Sequence, residues 1–287
     1  MTLSVIVPAY NAQETLPFLI DSLSDQSFDD FEVIVVDDCS SDNTSLLVET
    51  SSFNLVKLRK NHGPAFCRNI GVRHSSGDML VFTDSDCFAD RLWLEKINNQ
   101  FQQNNIDALM GRLVLMPSSY LGDSISALGF PAGGSLGFES VWKVDDHGYT
   151  NSLSSCNCAV RREVFEAIGG FDETFPYAGG EDSFFAYSLV RAGYKIRYCP
   201  DVVAWHGPRD SLKDFIIWQF KRGISSYMFS QKISNRKSFF SLRLWSWGNV
   251  IKYNLRDKKL PLITMLLCMS ILLQSAGAVY AKLKETG

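Results

Sequence analysis

The sequence predicts an α/β fold: a mostly parallel, Rossmann-like sheet flanked by helices, followed by a C-terminal helical, membrane-associated extension. Four apolar runs alternate with helical patterns over the first 105 residues. Strand, helix and strand follow one another within about 35 residues, which implies right-handed parallel crossovers. Residues 260–281 carry no charged side chain, a pattern typical of a helix in or at a membrane.

The strands of the first half are predicted from apolar runs that end at turn residues. The first run covers residues 3–8 and ends at Pro8, because proline donates no hydrogen bond to a sheet. A helix follows from the helical spacing of apolar residues between positions 14 and 23, with Thr15 as its candidate N-cap. Further strands are predicted at residues 32–36, 54–58 and 79–83, and further helices after Gly63-Pro64 and around residues 92–101.

The second half is less regular. Residues 108–150 are rich in glycine and predict a strand followed by a mobile loop. Short helices are predicted at residues 161–168 and 183–192, and the second places Glu181 and Asp182 at its amino terminus. The helix dipole stabilises an anion there, so we expect Asp182 to be ionised at neutral pH. Opposite a metal and a phosphate, Asp182 is a candidate general base; taken alone, such a residue is more often a helix cap.

Two carboxylates, Asp84 and Asp86, directly follow the buried run 79–83. Ligands of an open parallel sheet bind at the carboxyl ends of its strands. Oxygen ligands suit Mg²⁺ or Mn²⁺, whose coordination substrate phosphates often complete, although a polar turn is the simpler alternative for Asp-Ser-Asp alone. Arg68 lies about one turn into the predicted helix after Pro64, near the positive helix end that favours a phosphate; a surface arginine is the alternative.

Charge is divided unevenly along the chain. Residues 1–208 carry 14 Lys and Arg against 27 Asp and Glu, whereas residues 209–259 carry 12 against 3 and include ten aromatic residues. The acidic body disfavours nucleic acid as a partner, and the basic, aromatic segment indicates a membrane surface. Seven scattered cysteines favour a reducing compartment. A zinc site at Cys156 and Cys158 is disfavoured because no second pair has the required spacing.

The apolar stretch at residues 260–281 is a predicted transmembrane anchor. Its 22 residues would extend about 33 Å as a helix, enough to cross a hydrocarbon core of about 30 Å. A buried or re-entrant helix is the alternative, favoured by Gln274 and the small residues at 275–278. More basic residues precede the stretch than follow it, which predicts that the preceding domain faces the cytoplasm.

Six groups of residues, in order along residues 3–206, resemble the family 2 glycosyltransferases, which have the A-type nucleotide-sugar-binding fold. The matching stretches are 5–11 (VIVPAYN), 33–42 (VIVVDDCSSD), 61–63 (NHG) with 67–69 (CRN), 83–86 (TDSD), 159–165 (AVRREVF) with 169–172 (GGFD), and 180–182 (GED). The resemblance makes residues 1–208 a catalytic domain. Segments similar to residues 213–231 form helices beside the active site in such enzymes, while composition assigns residues 209–259 to a basic, aromatic helical segment at the membrane surface and residues 260–281 to the anchor.

The resemblance implies a metal-dependent, inverting transfer of a sugar from a nucleoside-diphosphate sugar, usually a UDP-sugar, to a hydroxyl of a glycan or lipid-linked acceptor. We expect a role in cell-envelope polysaccharide biosynthesis. Pro8, Tyr10 and Asp38 match residues around the nucleobase, and Arg68 matches one that helps to neutralise the leaving diphosphate.

Further matches concern the metal and the base. Asp84 would lie by the ribose and the metal, and Asp86 would bind the metal, Mn²⁺ or Mg²⁺. Asp182, with Glu181 beside it, would deprotonate the acceptor hydroxyl. His206, which follows a short apolar run, matches a histidine near the metal or diphosphate in many relatives; a structural histidine is the alternative.

Three other functions stay open. A polyprenyl-phosphate sugar synthase would use the same donor machinery with a different acceptor. A catalytically silent nucleotide- or carbohydrate-binding protein would share the fold. A nucleotidyltransferase is expected to carry a glycine-rich, basic loop near residue 10, where this chain has only Pro8-Ala-Tyr-Asn.

Overall fold

The computed structural model describes residues 2–104, 106–234 and 236–286, including all their side chains except those of residues 236–240 and 286. Within these ranges, nine strands form one sheet. The strands are β1 Leu3–Ala9, β2 Phe31–Asp37, β3 Asn54–Lys57, β4 Met79–Thr83, β5 Cys87–Ala89, β6 Ala108–Leu115, β7 Tyr149–Thr150, β8 Asn157–Arg161 and β9 Ile196–His206. The helices are α1 Leu16–Ser24, α2 Thr44–Glu49, α3 Pro64–Arg73, α4 Trp93–Gln103, α5 Tyr120–Ser126, α6 Phe138–Val141, α7 Arg162–Ala167, α8 Glu181–Arg191, α9 Leu212–Lys232, α10 Arg236–Asn254 and α11 Leu260–Thr286.

The sheet has the order β3-β2-β1-β4-β8-β6-β9-β5, with β7 paired to β9. The first four strands are parallel neighbours, which confirms the predicted α/β fold. The sheet becomes mixed after β4, because β8 runs antiparallel to both β4 and β6. β8 is not among the predicted strands, since its five residues include the polar Asn157 and run directly into α7.

Both faces of the sheet are buried, and the alternation of side chains along its strands shows this. In β1, Leu3, Val5 and Val7 pack with α1 and α4 on one face. Ile6 packs on the opposite face with residues of α3, α7 and α8. β4 alternates in the same way, with Phe82 on the second face. A strand buried on both faces reads as a continuous apolar run, which is why β1, β2 and β4 were predictable.

The prediction of a mobile loop after β6 is wrong. This part of the chain folds into α5, a 3₁₀ turn at Gly134–Leu136, and α6. Ile125 and Leu128 are buried in a cluster with Phe215 of α9 and Leu266 of α11. These partners lie about a hundred positions away in sequence, so no local pattern could reveal them.

Among the three last helices, α11 packs closely on α9. Any side chain at Gly223 would collide with the carbonyl of Gln274, and one at Gly277 would collide with the carbonyl of Phe220. Of the described helices, α11 is long and apolar enough to cross a membrane, and about a third of its most apolar stretch is buried in the protein (33%). Its exposed apolar side chains are Met265, Leu272, Val279, Tyr280 and Leu283.

Candidate active site

A groove with a volume of about 710 Å³ runs along the carboxyl ends of β1, β2 and β4. The size lies within the usual range of roughly 300–1,000 Å³ for ligand sites. The predicted donor-site residues all line it: Pro8, Tyr10, Asp38, Arg68, Asp84 and Asp86. Parallel strands end at one edge of a sheet, so residues that are far apart in sequence meet there, as we expected. We call this the donor groove.

Asp38 and the loop after β3 form one hydrogen-bonded unit. The Asp38 carboxylate accepts hydrogen bonds from the backbone N–H of His62 at 2.7 Å and of Gly63 at 2.8 Å. Gly63 has φ of +90°, a conformation that favours glycine. Asp38 is therefore held rigidly at the groove wall, whereas the Tyr10 ring at the rim is 54% exposed and open to stacking.

Asp84, Asp86 and His206 lie together and could hold a divalent cation. Asp86 Oδ1 is 3.3 Å from His206 Nε2. The ligand atoms of Asp84, Cys156 and His206 lie within 4.8 Å of one another, as do those of Asp86, Cys87 and His206. Carboxylate and imidazole ligands suit Mn²⁺, whereas Mg²⁺ prefers oxygen. This donor set fits the cation that we expected, with two thiols close by.

The protonation of His206 responds to its acidic surroundings. Burial alone would lower the pKa of the imidazole, but the Asp86 carboxylate and contacts with Cys156 outweigh it and raise that pKa to about 10. Nδ1 contacts the carbonyl oxygen of Gly207. A protonated imidazole is no metal ligand, so a cation would have to displace this proton when it binds.

Arg68 is fully buried between two carboxylates. Its Nη2 is 2.7 Å from Asp84 Oδ1, and its Nη1 is 3.0 Å from Glu181 Oε1. Burial would raise the pKa of Asp84, yet the Arg68 guanidinium keeps it below its usual value. The carboxylates of Asp84 and Glu181 thus neutralise the charge of Arg68. The same contacts join α3, the end of β4 and the start of α8.

Both carboxylate oxygens of Glu181 accept hydrogen bonds. Oε1 accepts from Arg68, and Oε2 accepts from the backbone N–H of Gly179 at 2.8 Å and of Gly180 at 3.0 Å. These contacts hold the amino terminus of α8 in place. They leave Asp182, the next residue, facing the cavity described below.

Asp182 departs from our expectation that it is ionised at neutral pH. Burial and the neighbouring Glu181 carboxylate raise its pKa to about 7, although Arg68, the N–H of Ser183 and Arg222 favour the charged form. That expectation rests on the helix dipole, whose effect on the pKa is weaker here than desolvation and like-charge repulsion. Because this pKa lies near neutral pH, Asp182 can both take up and release a proton there, as a general base requires.

One cavity of about 100 Å³ connects the metal-ligand candidates with Asp182. We call it the reaction cavity. Asp84 and His206 line it on one side, Asp182 and Ser183 on another, and Trp142 and residues 153–156 contribute to its wall. The predicted cation site and the predicted base, which come from distant parts of the sequence, therefore face the same space.

Four residues of α9 and its approach line these spaces but were not predicted as site residues, although the resemblance placed a helix at residues 213–231 beside the active site. Arg209, Trp218, Lys221 and Arg222 belong to the basic, aromatic segment that we assigned to a membrane surface. Arg209 and Lys221 line the donor groove without an ion-pair partner among the residues that the structure describes. The excess of basic residues in 209–259 was the available signal, but it does not distinguish a membrane from an anionic substrate.

Comparison with known proteins agrees with this geometry. Residues 4–169 match the family described as Glycosyl transferase family 2. The chain is 27% identical over 257 residues to glycosyltransferase AglE of Haloferax volcanii, which covers 84% of this chain and 79% of that protein. It is 30% identical over 227 residues to the O-antigen chain rhamnosyltransferase RfbN of Salmonella typhimurium, covering 75% of this chain and 70% of the relative.

Solved structures show the same fold. The mannosyltransferase PcManGT from Pyrobaculum calidifontis, in complex with GDP-Man and Mn²⁺, has a TM-score of 0.60 and 20% identity, covering 98% of this chain and 83% of that one. S. aureus TarS 1-349 in complex with UDP-GlcNAc has a TM-score of 0.59 and 19% identity, covering 98% and 92%. The similarity extends over the C-terminal helices as well as the sheet.

Proposed function

The chain belongs to glycosyl transferase family 2, and from that membership we propose that it moves a sugar from a nucleoside diphosphate to an acceptor hydroxyl, inverting the anomeric configuration. One observation carries this proposal: Asp182, whose pKa is about 7, shares the reaction cavity with the metal-ligand candidates Asp84 and His206. A base and a site for the leaving diphosphate are the two parts that such a displacement needs.

The donor binds in the donor groove. Pro8, Tyr10 and Asp38 enclose the nucleobase, which we propose to be uracil. Neighbouring folds support a nucleotide-sugar donor, since TarS was solved with UDP-GlcNAc and PcManGT with GDP-Man. Asp84, Asp86 and His206 would hold Mn²⁺ or Mg²⁺. When bound, that cation neutralises the charge that develops on the leaving diphosphate.

Two cations of this chain are placed to contact the diphosphate directly. Arg209 stacks on Trp218, with its guanidinium carbon 4.6 Å from the ring centre, and Lys221 lies 4.9 Å from the ring centre of Tyr177. Both line the donor groove. Since Arg68 is already neutralised by Asp84 and Glu181, we assign phosphate binding to Arg209 and Lys221, and a positioning role to Arg68.

The displacement follows from these positions. Asp182 removes the proton of the acceptor hydroxyl, and the oxygen attacks the anomeric carbon of the donor. The bond from that carbon to the diphosphate oxygen breaks as the new bond forms, so the nucleoside diphosphate leaves and the configuration inverts. Glu181 takes no proton in this scheme, because its oxygens are held by Arg68 and by the N–H groups of Gly179 and Gly180.

The raised pKa of Asp182 favours a hydroxyl acceptor over a polyprenyl phosphate. A phosphate is already ionised at neutral pH and needs no base to attack, whereas a hydroxyl does. We propose a glycan or lipid-linked acceptor in cell-envelope polysaccharide synthesis. The name of the Salmonella relative, an O-antigen chain rhamnosyltransferase, supports this setting.

We further propose that the protein is bound to a membrane through α11, with the catalytic domain in the cytoplasm. The exposed apolar face of α11 and the basic excess before it support this placement. Protease added outside sealed cells should leave the catalytic domain intact. Its removal by that protease would contradict the orientation.

The proposed activity can be tested with the full chain in detergent. Release of nucleoside diphosphate is measured with UDP-, GDP- and dTDP-sugars, in Mn²⁺, Mg²⁺ or EDTA. We expect metal-dependent release from a UDP-sugar, and its loss in Asp86→Ala. If no donor is turned over or bound, with or without glycan acceptors, the proposed function is wrong.

A further inference from the structure

A second cavity opens at the start of α8, between α8, α9 and α10, and Ser183, the residue after Asp182, lines it. Its wall includes Phe130, Trp142, Gly179, Arg222, Arg243 and Trp247, and we call it the arginine cavity. It shares Phe130, Trp142, Gly179, Ser183 and Arg222 with the reaction cavity. Among the described residues, none lines both the arginine cavity and the donor groove. An acceptor in the arginine cavity would therefore approach Asp182 from a different direction than the donor.

Arg222 is the unusual feature of this cavity. Its Nε is buried and has no hydrogen-bond partner among the described residues. Its guanidinium carbon lies 3.8 Å from the ring centre of Phe130 and 5.2 Å from that of Trp218. No ion pair joins it to any carboxylate in the described parts of the chain. A largely buried cation without a partner is costly, so such an arrangement is expected where a ligand supplies the opposite charge.

The surroundings of Arg222 increase this cost. Burial comes first, and the charges of Arg243 and Arg209 add to it; together they lower the pKa of Arg222 to about 9, although Asp182 acts in the opposite sense. Arg243 donates a hydrogen bond to the side-chain oxygen of Gln274. Three guanidinium groups thus act on one small region.

We propose that the arginine cavity binds an anionic group of the acceptor, a phosphate or a carboxylate, and so brings a nearby acceptor hydroxyl to Asp182. This inference rests on the proposed function. An oxyanion can accept two hydrogen bonds from one guanidinium, and the Nε–H of Arg222 has no hydrogen-bond partner among the described residues. The aromatic rings of Phe130, Trp142 and Trp247 offer a flat apolar wall to the rest of the acceptor, such as a sugar ring or a lipid chain.

The donor diphosphate is the competing occupant of Arg222, and the geometry disfavours it. The donor groove already contains two cations, Arg209 and Lys221, in addition to the metal-ligand candidates. Arg222 lies outside that groove and lines the arginine cavity and the reaction cavity instead. Anion binding must nevertheless be measured with nucleotide bound in the donor groove, so that the probes cannot bind there.

The experiment measures anion binding by the full chain in detergent, saturated with UDP and Mn²⁺, using titration calorimetry. The probes are inorganic phosphate, phenyl phosphate and glucuronate. We expect at least one probe to bind, and to bind at least about tenfold more weakly to Arg222→Gln. Arg222→Lys should retain part of the affinity. The matched control is Lys213→Gln, which removes one exposed charge from the same helix and should bind as the parent does.

The order of the probes identifies the source of the anion. Tightest binding of phenyl phosphate indicates a phosphorylated acceptor, and tightest binding of glucuronate indicates an acidic glycan. If none of the probes binds, or if Arg222→Gln and the parent bind them equally, the inference is wrong. UDP affinity and the thermal unfolding midpoint of each variant show that it is folded.

Failure of the inference can be told apart from failure of the proposed function. Nucleotide release from a donor without Arg222-dependent anion binding would overturn the inference alone. Arg222-dependent anion binding in a protein that turns over no donor would overturn the proposed transfer and leave an anion site without that function.

Discussion

Arg68 and Glu181 are separated by 113 positions in the chain, yet they form a buried ion pair with 3.0 Å between Nη1 and Oε1. Through its second nitrogen, Arg68 also holds Asp84. The same side chain thus ties the end of β4, where the donor is proposed to bind, to the residue that precedes the proposed base. This contact therefore fixes the start of α8 relative to the end of β4.

Replacement of Arg68 should be among the most destabilising changes in α3. Arg68→Met leaves the Asp84 and Glu181 carboxylates without their cation, and we expect the free energy of unfolding to fall by about 3–5 kcal/mol. Arg73→Met, on the same helix, breaks only a largely exposed pair with Glu173 and should cost at most about 1 kcal/mol. Urea unfolding of both variants measures the difference. Equal costs would contradict the central role of Arg68.

Asp182→Asn should abolish transfer without weakening donor binding. Loss of the base is expected to lower kcat by about 10²–10⁴, while the affinity for UDP, measured by calorimetry, stays unchanged. Asp201→Asn, on the exposed side of β9, removes the same charge far from the cavity and serves as the control. An Asp182→Asn protein with near-normal turnover would require another base.

The pH dependence of kcat/KM should follow the ionisation of Asp182. Its pKa of about 7 means that the base is protonated in acid, so activity should rise with pH through about 7 and then level off. In Glu181→Gln, the repulsive neighbour is lost and Arg68 is less neutralised, and both changes lower the pKa of Asp182. The midpoint should therefore move to lower pH. A midpoint that does not move would mean that another group titrates.

Metal affinity should depend on the end of β4 and on His206. Asp86→Ala and His206→Ala each remove one ligand, and we expect Mn²⁺ to bind at least about tenfold more weakly, as measured by the paramagnetic signal of the free ion. Asp78→Ala removes an exposed carboxylate just before β4, at its opposite end, and is the control. Unchanged Mn²⁺ binding in both site variants would place the cation elsewhere.

The contact between α9 and α11 should matter for activity as well as stability. Gly277→Val forces its side chain onto the carbonyl of Phe220, and such overpacking typically costs about 1–3 kcal/mol. Because α9 carries Lys221 and Arg222, we also expect slower turnover in nucleotide-release assays. Gly248→Ala in α10 is the control, since no described atom beyond the neighbouring residues and backbone of its own helix lies within 4 Å of the added carbon. Full activity of Gly277→Val would contradict this coupling.

The sequence predicted the parallel half of the fold and its ligand edge well. β1, β2 and β4 are buried on both faces, so each reads as an uninterrupted apolar run, and the polar residues that follow them had to meet at one edge. Asp84 and Asp86 were found in this way, whereas Asp38 was predicted from the family resemblance. Their proposed roles still depend on the family resemblance.

The features that the sequence did not reveal depend on contacts between distant segments. β8 is a strand because β4 and β6 enclose it, and α5 is ordered because α9 and α11 cover it. The pKa of Asp182 reflects burial and Glu181, whereas the helix dipole alone predicts the opposite direction. Arg209, Lys221 and Arg222 carry the same charge as residues at a membrane surface, so only their positions distinguish them.

The Gly223 and Gly277 contacts bear on how this enzyme can be divided. A chain shortened before residue 260 is the usual route to a soluble catalytic fragment, but here it would remove the surface on which α9 rests. The removed helix, α11, supports α9 on one side and carries exposed apolar side chains on the other. The proposed membrane attachment and the proposed catalysis therefore depend on the same helix, and an exchange of the C-terminal helices for those of a relative would also exchange part of the support for the candidate active site.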